Sequence, residues 1–143
     1  MSKIRLFFLS VLFIGFFSTC ENQSPIPMVP VNFTIYLNTP TFLPLTAPGS
    51  PVYIPYEGYK GIIVIQTSPD MFVAYDAACT YDPTHEWGRV QIEPSGIFAI
   101  DTVCGSQYSL MMNGMVNSGP AGLSLTQYAA DYNPNMGSIH IHN

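Results

Sequence analysis

Positive charge is nearly absent from this sequence. Four Lys and Arg stand against nine Asp and Glu in 143 residues. Lys3 and Arg5 lie at the extreme N-terminus, so the rest of the chain holds only Lys60 and Arg89. Two isolated cations cannot cover a phosphate backbone, which excludes nucleic-acid binding. The acid excess gives no attraction to an anionic membrane surface either. Charged residues of both signs make up 9% of the chain, far below the roughly one quarter usual for globular domains. A surface of salt-bridged helices is therefore excluded. No helical period runs through the chain after residue 20. Also missing are a Ser–His–Asp order, a phosphate-binding glycine loop and a pair of catalytic carboxylates in a helical or strand context. No enzyme is expected.

What remains is rich in turn formers and β formers. Thirteen prolines, eleven glycines and nine tyrosines accompany abundant Val, Ile and Leu. This is a compact β-rich composition and not that of a disordered chain. Short β-branched and aromatic runs, each closed by Pro or Gly, predict an all-β antiparallel fold. Val31 to Leu37 alternates, with Val31, Phe33, Ile35 and Leu37 on one face. Gly61 to Gln66 is a continuous apolar run and predicts a central strand buried on both sides. Met71 to Asp76 returns from it across a turn at Ser68-Pro69-Asp70. Arg89–Ile92 and Gly96–Ile100 are short strands. Gln107 to Met112 starts a hairpin that turns at Asn113-Gly114. Leu123–Ala130 and Ser138–His142 are the last strands.

The N-terminus reads as a targeting segment. Lys3 and Arg5 precede an apolar run from Leu6 to Phe17, too short for a comfortable transmembrane helix. The run ends at Ser18-Thr19-Cys20, which resembles a bacterial lipobox. Residues 1–19 are then a lipoprotein signal peptide, Cys20 the lipidated residue, 20–30 a polar and proline-rich tether, and 31–143 one β domain. The membrane is the expected partner, through a lipid anchor. The expected location is the bacterial cell envelope, with Glu21 after the cysteine leaving outer-membrane delivery open.

The order of features from residue 58 to 142 resembles a Rieske domain. The likeness rests on Cys79-Thr80-Tyr81, then Cys104-Gly105-Ser106-Gln107-Tyr108, Leu110, Gly114, Gly119-Pro120-Ala121, Leu125 and Tyr128. It is especially similar to the cluster-less Rieske-like lipoproteins of the Bacteroidetes type. The resemblance implies an antiparallel β-sandwich with a small inserted subdomain whose two loops would carry a 2Fe–2S cluster. A Rieske centre needs two thiolates and two imidazoles, and the imidazoles are missing. Tyr81 stands in the first histidine position. In one register Cys104 is the second cluster cysteine and Gln107 takes the second histidine position. In the other, Cys104 takes that histidine position and Asp101 the cysteine position. The second register is preferred, because the downstream pattern then continues without gaps. Either register leaves too few ligands, so the resemblance implies a fold without cofactor. It also implies that Cys79 and Cys104 face each other and form a disulfide in an oxidising compartment. Two rival readings are an electron-transfer protein with an atypical iron–sulfur site and an envelope thiol–disulfide redox protein.

Other residues carry weaker signals. His140 and His142 alternate on one strand face as a possible metal-ligand pair; they are read as exposed histidines, and no metal site is expected. Asp82, His85 and Glu86 read as a solvated loop. Trp87 with Tyr81 and Tyr108 is expected to be a buried mini-core; exposed, it would contact a protein or glycan partner. Met111, Met112 and Met115 could offer thioethers to copper(I) but read as hairpin filler.

Overall fold

The computed structural model describes residues 26–143. The signal segment and Cys20 lie outside the described residues. The fold is all-β and antiparallel, and one of its sheets curls into a half-barrel. The strands are β1 (Asn32–Tyr36), β2 (Val52–Ile54), β3 (Ile62–Ser68), β4 (Met71–Asp76), β5 (Val90–Ile92), β6 (Phe98–Asp101), β7 (Gln107–Ser109), β8 (Met115–Ser118), β9 (Gln127–Asn133) and β10 (Ser138–His142). Among the described residues, one short 3-10 turn at Leu43–Thr46 is the sole helical element, and no helix is long and apolar enough to cross a membrane.

Two sheets divide the strands. The larger has the order β1-β10-β9-β4-β3-β2, and the smaller is the meander β5-β6-β7-β8. The meander is inserted in the chain between β4 and β9, which pair directly through Ala74 with Tyr128 and Tyr75 with Gln127. The larger sheet therefore closes behind the insertion.

The apolar run of β3 explains how the sheets share a core. Side chains alternate across a strand. Ile62 and Val64 point into one cluster with Val31, Ile35, Leu45, Ile139 and Ile141. Ile63 and Ile65 point into a second cluster with Tyr75, Cys79, Val90, Tyr108 and Leu110. All four β3 residues are fully buried, as the unbroken run predicts for a strand covered on both faces. Burying each of these side chains is worth about 1.5–3 kcal/mol, so β3 is the spine of the domain.

The turns follow their local chemistry. Asp70 takes a left-handed conformation at φ 61° between β3 and β4, where an Asp is better tolerated than most residues. Asn113 and Gly114 both have positive φ, at 54° and 66°, the demand that an Asn-Gly pair meets.

Two boundaries and one packing expectation differ from the sequence reading. The expected tether reaches residue 30, yet Ile26 is buried and Val29 packs against the first cluster. The packed domain thus begins several residues earlier. The strand expected from Leu123 starts only at Gln127. Residues before it serve the insertion instead: the Ala121 N–H donates to Ser106 Oγ at 3.1 Å, and Thr80 Oγ1 donates to the Leu123 carbonyl at 2.6 Å. The methionines fill the hairpin only in part, because Met111 packs inward while Met112 and Met115 are exposed.

Candidate functional site

Two loops converge on one face of the second core. The first runs from Ala77 to Arg89 and is closed at its base by an antiparallel bridge between Ala78 and Arg89. The Cys79 N–H donates to the Gly88 carbonyl at 3.1 Å, which turns its side chain inward. The second loop leaves β6 at Asp101 and returns at Ser106. Asp101 builds it: its Oδ1 accepts from the Val103 N–H at 2.8 Å, and its carbonyl accepts from Gly105 at 2.8 Å. Such an Asp-initiated turn is a common use of a short carboxylate side chain.

The loops bring Cys79 Sγ and Cys104 Sγ to 3.3 Å. Both are thiols in this structure. Cys79 is fully buried and Cys104 partly exposed. The Cys104 thiol also lies 3.3 Å from Asp101 Oδ2 and 3.1 Å from Ser106 Oγ. Sulfur, carboxylate and sulfur lie within 4.8 Å of one another.

A polar relay seats Cys79. The Thr80 hydroxyl donates to the Leu123 carbonyl, so its oxygen accepts from the Tyr108 hydroxyl at 3.0 Å. The Tyr108 oxygen accepts from the Thr80 N–H at 3.1 Å and meets Cys79 Sγ at 3.5 Å. Burial pushes the Cys79 thiol up to about 11, with the Asp101 carboxyl adding to the shift. Burial also pushes the Tyr108 phenol up, and Cys79 reinforces it. Both groups are thereby held protonated near neutral pH.

Other predicted positions fall elsewhere. Gln107 donates to Glu93 at 2.6 Å and accepts from Asn117 at 2.5 Å, and so is committed to the meander. Tyr81 is 58% exposed and Trp87 69% exposed, whereas Tyr108 is fully buried. The expected aromatic mini-core is corrected accordingly: Tyr108 alone joins the core. The two rings sit on a tip folded on itself, where Asp82 Oδ1 accepts from Thr84 Oγ1 and the His85 N–H, and His85 Nδ1 accepts from the Trp87 N–H. These bonds satisfy the loop without a core, as a solvated loop requires. The Thr84 hydroxyl, foremost, lowers the affinity of Asp82 for a proton.

Trp87 borders a groove of about 520 Å³ lined by Lys60, Glu86, Trp87, Arg89, Gln91 and Thr102. Both cations of the described residues thus line one groove. Lys60 Nζ donates to the His85 carbonyl. Arg89 donates to the Tyr53 hydroxyl at 3.0 Å and lies 5.0 Å from its ring centre. Among the described residues, neither cation makes an ion pair with a carboxylate; the one such contact is His142 with Asp131.

No family model matches the chain, and no curated protein is detectably similar to it.

Proposed function

We propose that this chain is a cell-envelope lipoprotein whose Rieske-like β domain has lost its iron–sulfur site and acts as a non-enzymatic binding or structural module. The observation that carries the reading is the approach of Cys79 and Cys104 at the meeting of the two loops, 3.3 Å apart. Their position supports the preferred register, in which Asp101 and Cys104 are neighbours at a vanished metal site, while Gln107 is engaged by Glu93 and Asn117.

The donor set does not fit a 2Fe–2S cluster. It offers two thiols and one carboxylate, and the phenol at Tyr81 is largely exposed. Two irons need four good ligands. A disulfide is the better use of two facing thiols in an oxidising compartment. Its formation releases two protons and passes two electrons to the oxidant of that compartment. Burial raises the Cys79 pKa, the opposite of the shift that makes a thiol a redox catalyst, so the bridge is structural. The groove beside Trp87, Lys60 and Arg89 is the face for a protein or glycan partner, because a large exposed aromatic beside cations that no carboxylate neutralises suits partner contact.

The test combines location with composition. The full chain expressed in a bacterial host should sediment with membranes, and Cys20→Ala should release it, since the acyl chains supply the anchoring energy. The purified protein should be colourless, with the Cys79 and Cys104 peptides linked in a non-reduced digest. Stoichiometric iron and sulfide with a visible charge-transfer spectrum would overturn the cluster-less reading. Unchanged fractionation of the Cys20 variant would overturn the anchor.

A further inference from the structure

The last strand carries a second constellation, remote in the chain from the cysteine loops. Ile139 and Ile141 are fully buried in the first core. A period of two then forces His140 and His142 onto the outer face of β10. Their rings stack with centres 4.7 Å apart and planes 26° from parallel. Across the β9–β10 ladder, His140 pairs in register with Asp131. His142 Nε2 lies 2.9 Å from Asp131 Oδ2. One donor atom from each of Asp131, His140 and His142 lies within 4.8 Å of the other two.

We propose that Asp131, His140 and His142 form a surface site for a divalent transition-metal ion of the zinc type. Two imidazoles and one carboxylate are a donor set that zinc accepts, with a fourth position left to water or an outside ligand. Bonds of about 2.0–2.1 Å place tetrahedral donors about 3.3 Å apart, so rotation about the side-chain bonds closes the observed spacing. The backbone stays still, because β10 is hydrogen-bonded to β1 on one side and β9 on the other. The strand end is pinned as well: the Asn143 amide donates to the Val29 carbonyl at 2.7 Å, and its oxygen accepts from the Val31 N–H at 3.1 Å. Rigid placement is what a metal site needs of its scaffold.

An orienting partner is also in place. Asn32 Oδ1 accepts from His140 Nε2 at 2.8 Å. That bond puts the imidazole proton on Nε2 and leaves Nδ1 free to donate its lone pair, the usual outer-shell arrangement for a ligating histidine. The 2.9 Å contact between His142 and Asp131 places their donor atoms side by side on the same open face. The ion would replace the proton they share.

The experiment titrates zinc chloride into the tag-free full-length protein and follows the imidazole ring signals by NMR. The ring signals of His140 and His142 should move together and saturate at one equivalent, while those of His85 stay fixed. Asp131→Asn should weaken binding by at least about tenfold, and His140→Ala with His142→Ala should abolish it. The wild-type ring signals report the site directly, so the readout survives a variant that folds poorly and does not depend on the state of the cysteine pair. Ring signals that stay fixed at every soluble zinc concentration would overturn the proposal. So would zinc binding of equal strength in the double-alanine variant.

Discussion

The Tyr128 hydroxyl donates to Asp76 Oδ2 at 2.7 Å, joining the end of β4 to β9 across 52 residues of chain. Asp76 is fully buried. Its carboxylate also accepts from the backbone N–H groups of Tyr59, Lys60 and Ala78, at 2.6, 3.2 and 2.8 Å. One side chain thus fixes the approach to β3, the entry to the first cysteine loop and the strand behind it. Asp76→Ala would leave these donors unpaired inside the protein, at a cost of about 3 kcal/mol or more. Tyr128→Phe removes one donor and spares the rest, so it should cost about 1–2 kcal/mol. Urea denaturation of both variants checks the ranking. Equal losses would show that the carboxylate does not carry the backbone donors.

The cysteine pair yields a second expectation. In the oxidised wild type the bridge closes a loop of about 26 residues, worth about 3–4 kcal/mol in the chain-entropy account. Cys104→Ser should therefore lower stability by roughly that amount under oxidising conditions. The variant should match reduced wild type. A Cys104→Ser protein as stable as the oxidised wild type would show that the sulfurs never bond.

Much of this architecture is legible in the sequence, for reasons tied to particular residues. Ile62 to Ile65 announce a strand covered on both faces because no polar residue interrupts the run. Asp70, Asn113 and Gly114 announce their turns because few residues tolerate positive φ. The facing of Cys79 and Cys104 is not legible from the residues themselves, because their approach depends on two loops meeting in space. Long-range partnerships were less visible. Little in the sequence marks Asp76 as a buried acceptor, since all its donors but the Ala78 N–H come from segments distant in the chain. Nothing in the sequence pairs Asp131 with His140, because the β9–β10 register is set by core packing on the other face. The exposure of Trp87 is equally hidden in the sequence: the loop satisfies its own hydrogen bonds through Asp82 and His85, and its aromatic ring is left to solvent.

The Cys79 thiol gives a pH signature. Its ordinary value of 9.0 rises to about 11 in the folded protein, by burial first and the Asp101 carboxyl second. In the unfolded chain the thiol ionises near its ordinary value. Between the two values the folded state binds more protons, so stability falls as pH rises. The contribution is complete below pH 9 and lost by about pH 11, amounting to about 2–3 kcal/mol. Oxidised protein has no thiol there and should lack the effect. Burial also raises Tyr75, Tyr108 and Tyr128, but those phenols are present in both redox forms. The difference between reduced and oxidised denaturation midpoints, followed from pH 8 to 11, isolates the cysteine. Parallel pH curves would refute a buried Cys79 thiol.

Gly119 tests the support beneath the second loop. It has φ +95°, and a Cβ built on it would lie 2.5 Å from Ser106 Cα, 2.7 Å from the Gly105 oxygen and 2.9 Å from Ser106 N. All three are backbone atoms and cannot swing aside. Ser106 in turn braces the thiol, with its N–H 3.4 Å from Cys104 Sγ. Gly119→Ala must therefore push the loop, and Cys104 with it. Gly105 offers the control. Its φ is +76°, yet an added Cβ would meet nothing within 4 Å, so Gly105→Ala pays for backbone conformation alone, about 1–2 kcal/mol. Gly119→Ala should cost distinctly more, about 3 kcal/mol or above, and should slow disulfide formation between Cys79 and Cys104. Thermal unfolding and timed thiol trapping measure the two effects. If both alanine variants lose the same stability and oxidise at the same rate, Gly119 does not support the loop.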